Sequence, residues 1–563
     1  MRSAAIVACV VLGACAQLPQ ERRFDVVEAT IPEIQEALAS GRTTSRELVQ
    51  QYLARIAAYD NRLNALISVN RRALREAEAL DAERAAGRVR GPLHGVPIAV
   101  KDNIQTTDMP TTGGALAFEG YVPPYEATLV RSLREAGAII LAKTTMTEWA
   151  NWMAGPPTPM VGGYNALRGF SLNPYDARRD PRAAFADGRP VLSPGGSSSG
   201  VGVAANLWAA AVGTETSGSL LVPANLNMLV TVKPNVGRIS RHGIAPITAD
   251  QDTAGPLARS VVDAAILLGA LEDPTPDPND PEKRCAPPPQ RDYTRFLDEK
   301  ALSGARIGIP RAFYYERATP PGLKEARGGL NAEQAKAMTE AIAVLKERGA
   351  VIVDPADIPS VVDRDASRNF LRWEVCRGTD GPKGMDAGCS VVFKYGMKRD
   401  FNKWLASPGS TAPVKSLTEL RHWNLAHAKA GALKYGQSQL DISDEMNVEA
   451  DRTRYENDRA KDIALSGAHG IDEVMQAERL DAILFPAGSG AILSARPGYP
   501  TVIVPFAMVA NAPTPPFPPG FDAKPSPFGV SFAGTACSEP RLIELAYAFE
   551  QATKRRVAPS GAP

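Results

Sequence analysis

Apolar residues follow two spacings along this chain. From Thr30 to Gly87 they recur at helical intervals, as in Leu48, Tyr52, Leu53 and Ile56. Thr30 with Glu33 and Thr44 with Glu47 supply capping boxes, Pro32 lies in a first turn, and a third helix is predicted from about Leu66 to a stop at Gly87. Further on, short unbroken apolar runs predict buried strands: Val96 to Val100, Ala138 to Leu141, Val351 to Val353, Ala482 to Phe485 and Thr501 to Val504. Helical stretches stand among them, Ala127 to Ala136 ended by Gly137, Asn331 to Arg348 ended by Gly349, and Leu542 to Phe549 opened by Ser538 and Pro540. Val201 to Ala211, small and apolar, predicts a buried helix. Helix followed by strand, repeated, predicts an α/β architecture: a large mixed β-sheet core covered by helices on both faces.

Three segments break the pattern. Residues 272–293 and 510–528 are rich in proline and are expected to be surface insertions, and 557–563 to be a frayed tail. Between about Pro355 and Glu445 the helical pattern is uneven, and specificity is expected to reside there. The 563 residues contain no repeat, which is compatible with one large domain over 28–553.

The first twenty residues read as an export signal: Arg2, then an apolar run from Ala4 to Leu12 too short to span a bilayer. Leu12, Gly13, Ala14 and Cys15 resemble a lipobox, which predicts lipid on Cys15 and anchoring to a membrane; an ordinary cleaved signal is the alternative. Either way the protein is expected outside the cytoplasm, in the periplasm or cell envelope. Cys285, Cys376, Cys389 and Cys537 would then meet an oxidising compartment, and without CxxC spacing or a nearby histidine set they predict no metal. Cys376 and Cys389 flank a glycine-rich loop and fit either a local disulfide or two buried thiols. A net charge of +1 lacks the basic excess that nucleic-acid binding needs. The 47 prolines and 47 glycines imply many loops, where a large enzyme keeps its substrate contacts.

Chemistry concentrates in residues 193–223, SPGGSSSGVGVAANLWAAAVGTETSGSLLVP. Read literally, Gly196 to Gly200 is the G-x-S-x-G elbow of an α/β-hydrolase esterase with Ser198 as nucleophile. That reading needs a strand running into the elbow, where only Pro190 to Leu192 stand, and a late histidine, whereas none of His94, His242, His422, His427 and His469 falls in the last ninety residues. A histidine-free base is available in GVPIAVKDN. Its apolar run ends on Lys101 and Asp102, and low dielectric favours a neutral amine that can take a proton. GAIILAKT is only superficially a phosphate loop, because Ala142 replaces the second glycine and Ile139 to Leu141 form a strand.

GVPIAVKDN, SPGGSSSG and GTETSGSLLVPA, together with VKPNVGRIS, QDTAGPLAR, GAIILAKTTMTEWA and FAGTACSEPRLIELAYAFEQAT, resemble the amidase signature family from about residue 28 to 553. The resemblance implies Lys101 as base, Ser197 as bridging serine after a cis peptide bond, and Ser219 as nucleophile. It places the oxyanion hole on the backbone N–H groups of Thr216, Ser217, Gly218 and Ser219, with no cofactor and no metal. Ser198 and Ser199 would brace the loop, Asp102 would orient Lys101 or the backbone, and Gln251 and Asp252 would brace the catalytic loops. Trp149, Trp152 and Trp208 would be core or pocket wall. The chain departs from the family pattern in having Glu215 for Asp, Ser217 for Gly and Leu221 for Arg, and the last moves it toward peptide-amidase-like members. The expected substrate is a linear carboxamide, either a peptide C-terminal amide or a small-molecule amide. The amidase component of a tRNA-dependent amidotransferase, cytoplasmic by nature, and a catalytically silent envelope-binding protein are the rivals.

Overall fold

The computed structural model describes residues 24–562 except 197–198, 274, 283–284, 379–385, 387 and 408. The export signal with Cys15, and Ser197 and Ser198 with the peptide bond before Ser197, lie outside the described residues. Helices α1 (Ile31–Ala39) and α2 (Ser45–Leu63) start as the capping boxes require: the hydroxyls of Thr30 and Thr44 accept from the amides of Glu33 and Glu47, whose carboxylates bond back.

One sheet of eleven strands organises the molecule: β1 (Leu66–Val69), β2 (Pro97–Lys101), β3 (Ile139–Thr144), β4 (Ala210–Glu215), β5 (Val230–Lys233), β6 (Thr253–Ala258), β7 (Arg306–Gly308), β8 (Val351–Val353), β9 (Ala482–Pro486), β10 (Thr501–Val509) and β11 (Ser526–Ala533). Their order is β1-β3-β2-β4-β6-β5-β10-β11-β9-β7-β8. Strands β2, β3 and β4 run parallel to one another, the pairs from β4 across to β9 are antiparallel, and β9, β7 and β8 are parallel again, so the sheet is mixed. Every residue of β2, β3, β4 and β6 is buried, which requires cover on both faces, whereas the edge strands β1 and β8 are only partly buried. Helix α2 packs on β2, and Glu539–Thr553 packs on β10 and β11. A second, aromatic core joins Phe118, Trp149 and Trp152 to Phe401 and Trp404 of the helix Val392–Leu405.

Three expectations change. Leu66 opens not a helix but β1, which pairs antiparallel with β3; the third helix, α3, is Ala73–Ala85. The apolar stretch Val201 to Ala211 divides into the end of a short helix, Ser199–Ala204, and the start of β4. Trp208 folds back between them so closely that a Cβ on Gly202 would lie 1.8 Å from its ring. Described residues of the proline-rich segment 272–293 are tied to the body of the fold. Arg238, buried, pairs with Glu272 at 2.7 Å, the Tyr293 hydroxyl donates to Glu272 at 2.9 Å, and Cys285 is disulfide-bonded to Cys537. The tail packs too: the carbonyls of Gly561 and Ala562 accept from Arg62 at 2.7 Å and from Arg55 at 3.0 Å.

Of the alternatives for Cys376 and Cys389, the structure has the disulfide. Asp386 lies near both sulfurs, but each is bonded to the other and neither can ligate a metal. The Cys285–Cys537 bridge joins positions 252 residues apart. Such a crosslink restricts the unfolded chain strongly, so serine at both positions is expected to cost about 2–5 kcal/mol. Melting of the variant against oxidised wild type reads this, and equal melting temperatures would show that the bridge contributes nothing.

Candidate active site

Lys101 is the last residue of β2, wholly buried, and its strand lies between β3 and β4. Burial lowers its pKa to about 8, against the opposing pull of Asp252 and Glu215. Its Nζ donates to the hydroxyl of Thr214 at 3.0 Å and to the Thr214 carbonyl at 3.1 Å. Asn103 holds the same hydroxyl through Nδ2 at 3.1 Å and also reaches the Ala245 carbonyl. Asp102 does not meet Lys101. Its carboxylate accepts from the Thr112 amide and hydroxyl and lies 3.5 Å from Lys143, so it orients the backbone beyond the strand.

Strand β4 runs from Thr214 into the turn Thr216 to Leu220, and this turn carries Ser219. Glu215 faces inward, and one carboxylate oxygen accepts from the amides of Leu220 at 2.7 Å and Leu221 at 3.0 Å, fixing the entry to the helix Leu221–Leu226. The left-handed backbone of the turn falls on Gly218, at φ 98°, so Ser217 carries no such strain. Thr216 is held from the other side: its hydroxyl donates to Asp252 and its carbonyl accepts from Gln251 at 3.2 Å. Asp252 itself is raised to about 7 by desolvation.

The loop that leads to Ser197 is pressed onto this turn. A Cβ on Gly195, which sits at φ 83°, would lie 2.6 Å from the Cα of Pro223, so only glycine permits the approach. One residue on, a Cβ on Gly196 would lie 3.4 Å from Ser219 Oγ. Asn227 ties the layers together by donating to the carbonyls of Pro194 at 3.0 Å and Pro223 at 2.8 Å. From the β3 side, the amide of Thr147 donates to the Gly196 carbonyl at 3.3 Å, and the hydroxyls of Thr144 and Ser199 share a 2.7 Å hydrogen bond. Ser199 therefore braces the loop, as its position suggests. Before Gly196, Pro190 forms only an isolated bridge with Arg179, so no strand among the described residues runs into the loop as the Ser198 elbow requires.

The structure thus brings Lys101, Thr214, Gly196 and the turn Thr216 to Ser219 to one end of β2 and β4. Sequence reasoning missed Thr214, Asn103, Thr147 and Asn227. Asn103 had a signal, since it follows Lys101 and Asp102 directly; the others became visible only when strands far apart in the chain paired. Trp149, Trp152 and Trp208 are all buried core residues.

The chain is similar to known proteins in sequence and fold. The sequence profile of the amidase family matches residues 47–543. A probable amidase of Arabidopsis thaliana is 32% identical over 556 residues, covering 97% of this chain and 94% of that protein. A putative amidase of Arthroderma benhamiae is 31% identical over 563 residues, covering 94% of this chain and 86% of that protein. The native peptide amidase from Stenotrophomonas maltophilia has the same fold, with a TM-score of 0.78 and 35% identity over 95% of this chain and 99% of that one. The enzyme is a hydrolase acting on amides, and the chain belongs to the amidase family.

Proposed function

We propose that this enzyme is exported and cleaves a linear carboxamide, a peptide C-terminal amide or a small-molecule amide, to a carboxylate and ammonia or an amine through an acyl-enzyme on Ser219. The observation that carries the reading is a buried lysine of lowered pKa hydrogen-bonded to Thr214, on the strand that leads straight into the Ser219 turn. A serine hydroxyl attacks poorly until a base takes its proton. Lys101 in its neutral form would take the Ser219 proton by way of Ser197, the residue after Gly196, while Ser219 Oγ bonds to the carbonyl carbon. The backbone N–H groups of Thr216, Ser217, Gly218 and Ser219 would hold the oxyanion, where loss of one donor typically costs about 3 kcal/mol. The relay then returns the proton to the leaving nitrogen as the C–N bond breaks, and water attacking the ester frees the carboxylate.

The peptide-amide preference draws on Leu221, which stands where the family often has an arginine, and on the likeness to peptide amidase over nearly the whole chain. Export draws on the apolar run before Cys15 and on two disulfides, bonds that persist in oxidising compartments. Recovery of the active enzyme solely from the cytoplasm of an export-competent host would overturn it. The amidotransferase reading, which requires the cytoplasm, fits neither feature.

A fluorophosphonate probe followed by peptide mapping tests the mechanism: the label is expected on Ser219, and activity is expected against amidated peptides. A folded protein that stays unlabelled would leave the silent-binder reading, and a label on Ser198 would restore the elbow.

A further inference from the structure

Two exposed apolar side chains flank the Ser219 turn. The amide of Val222 donates to the Gly218 carbonyl at 2.8 Å and closes one helical turn over Gly218 to Val222, so Ser219 and Val222, three positions apart, lie on one side of it. Val222 is 38% exposed, and its Cγ2 stands 3.3 Å from where a Cβ on Gly218 would lie and 3.7 Å from one on Gly488. The loop after β9 closes on the same place. The Cβ of Ala491 is 3.7 Å from that Gly218 position, and Ile492, the next residue in the helix Ala491–Ala495, is 47% exposed. We propose that Val222 and Ile492 are specificity-determining residues that meet the side chain on the acyl half of the substrate, so that the enzyme favours amides with an apolar group beside the scissile carbonyl over those with a charged one. This rests on Ser219 as the nucleophile.

Position assigns these residues to the acyl half. In the acyl-enzyme that half is bonded to Ser219 Oγ, so its first substituent must find room within a few ångströms of the turn. One flank is closed by Gly196, where a Cβ would lie 3.4 Å from Oγ, and behind the turn Thr214 and Glu215 of β4 are buried, as is Lys101, where the proton relay begins. The open side is the one on which Ser217 and Ser219 are partly exposed and Val222 and Ile492 stand. Single exposed apolar side chains are common, but these two belong to the two elements that enclose one nucleophile.

The absence of charge in the surrounding segments sets the chemistry. Thr216 to Leu226, Pro486 to Ala495 and Val191 to Gly196 contain no acidic or basic residue. Neither does Met160 to Gly163, which packs on the Gly196 loop so that a Cβ on Gly162 would lie 3.2 Å from Ser193 Oγ. Glu215, the acid next in sequence to the turn, is buried and binds the amides of Leu220 and Leu221. A charged side chain pressed against these walls would lose water without gaining an opposite charge, whereas an aliphatic or aromatic one would gain apolar contact with Val222 and Ile492.

The test uses the full-length enzyme and three acetylated dipeptide amides that differ only in the amidated residue, leucine, glutamate or lysine, so that each releases ammonia. Wild type is expected to show kcat/KM at least about tenfold higher for the leucine amide than for either charged one. Val222→Asp and Ile492→Glu place a carboxylate at exposed positions where it stays in water. Each is expected to lower kcat/KM for the leucine amide by about tenfold and to raise it for the lysine amide, with fluorophosphonate labelling of Ser219 unchanged. Equal kcat/KM for the three amides in a wild type that labels at Ser219 would overturn the proposal alone, as would two folded variants that keep the wild-type ranking. A wild type that cleaves none of them and stays unlabelled at Ser219 would overturn the catalytic reading, and this proposal with it.

Discussion

Ser219→Ala is expected to lower kcat for amide hydrolysis by on the order of 10⁴- to 10⁶-fold, the range seen when a covalent nucleophile is removed from a serine hydrolase. The argument is positional. Glu215 fixes the amides after Ser219, Gly218 provides the reversal before it, and Asp252 and Gln251 hold Thr216, so the hydroxyl is presented on a turn restrained from both ends. Ser219 is only half-buried and accounts for none of these bonds, so alanine should leave the fold and melting temperature as they are. KM should change little where the hydroxyl contributes to the transition state rather than to ground-state binding. Steady-state kinetics with an amidated peptide, alongside a melting curve, reads both. Activity retained within about tenfold of wild type would remove Ser219 from the mechanism, because loss of a covalent nucleophile costs far more than that.

How much of this was legible before the fold was known depends on the range of the interaction concerned. The capping boxes at Thr30 and Thr44 are local hydrogen-bond chemistry, and both helices begin where those residues stand. Lys101 was visible because an unbroken apolar run ends on it, and the run is a fully buried strand. Val201 to Ala211 misled because alanine favours helix, whereas Ala210 to Val212 pair with β2 and that tertiary pairing overrides propensity. Leu66 misled because four strand residues lie between two helices with no glycine or proline to separate them. The tail looked frayed from composition alone, since its restraints are side chains of Arg55 and Arg62 hundreds of positions earlier. Cys285 and Cys537 show the same limit, as nothing near either residue names its partner. In the site, the residues carrying chemical character were readable, and those that hold them, Thr214, Thr147 and Asn227, are ordinary polar residues given their places by strand pairing.

Lys101 carries the second large effect. As a general base it must be neutral, and with a pKa lowered to about 8 by burial it is neutral above that pH and protonated below it. The sign follows: kcat/KM should rise with pH, by about tenfold per unit well below the pKa, and level off above about pH 8. Lys101→Met keeps the buried aliphatic length, removes the amine, and is expected to lower kcat by on the order of 10²- to 10⁴-fold, the usual share of a positioned base. It should also abolish the inflection near pH 8, which a merely structural role for the lysine would not do. Thr214 gives an independent check, because among the described residues its hydroxyl and carbonyl accept hydrogen bonds from Nζ. Thr214→Val removes one of these acceptors and should shift the inflection while leaving Ser219 open to the fluorophosphonate. A wild-type profile that falls through pH 8, or a Lys101→Met enzyme with an unchanged profile, would show that the proton goes elsewhere.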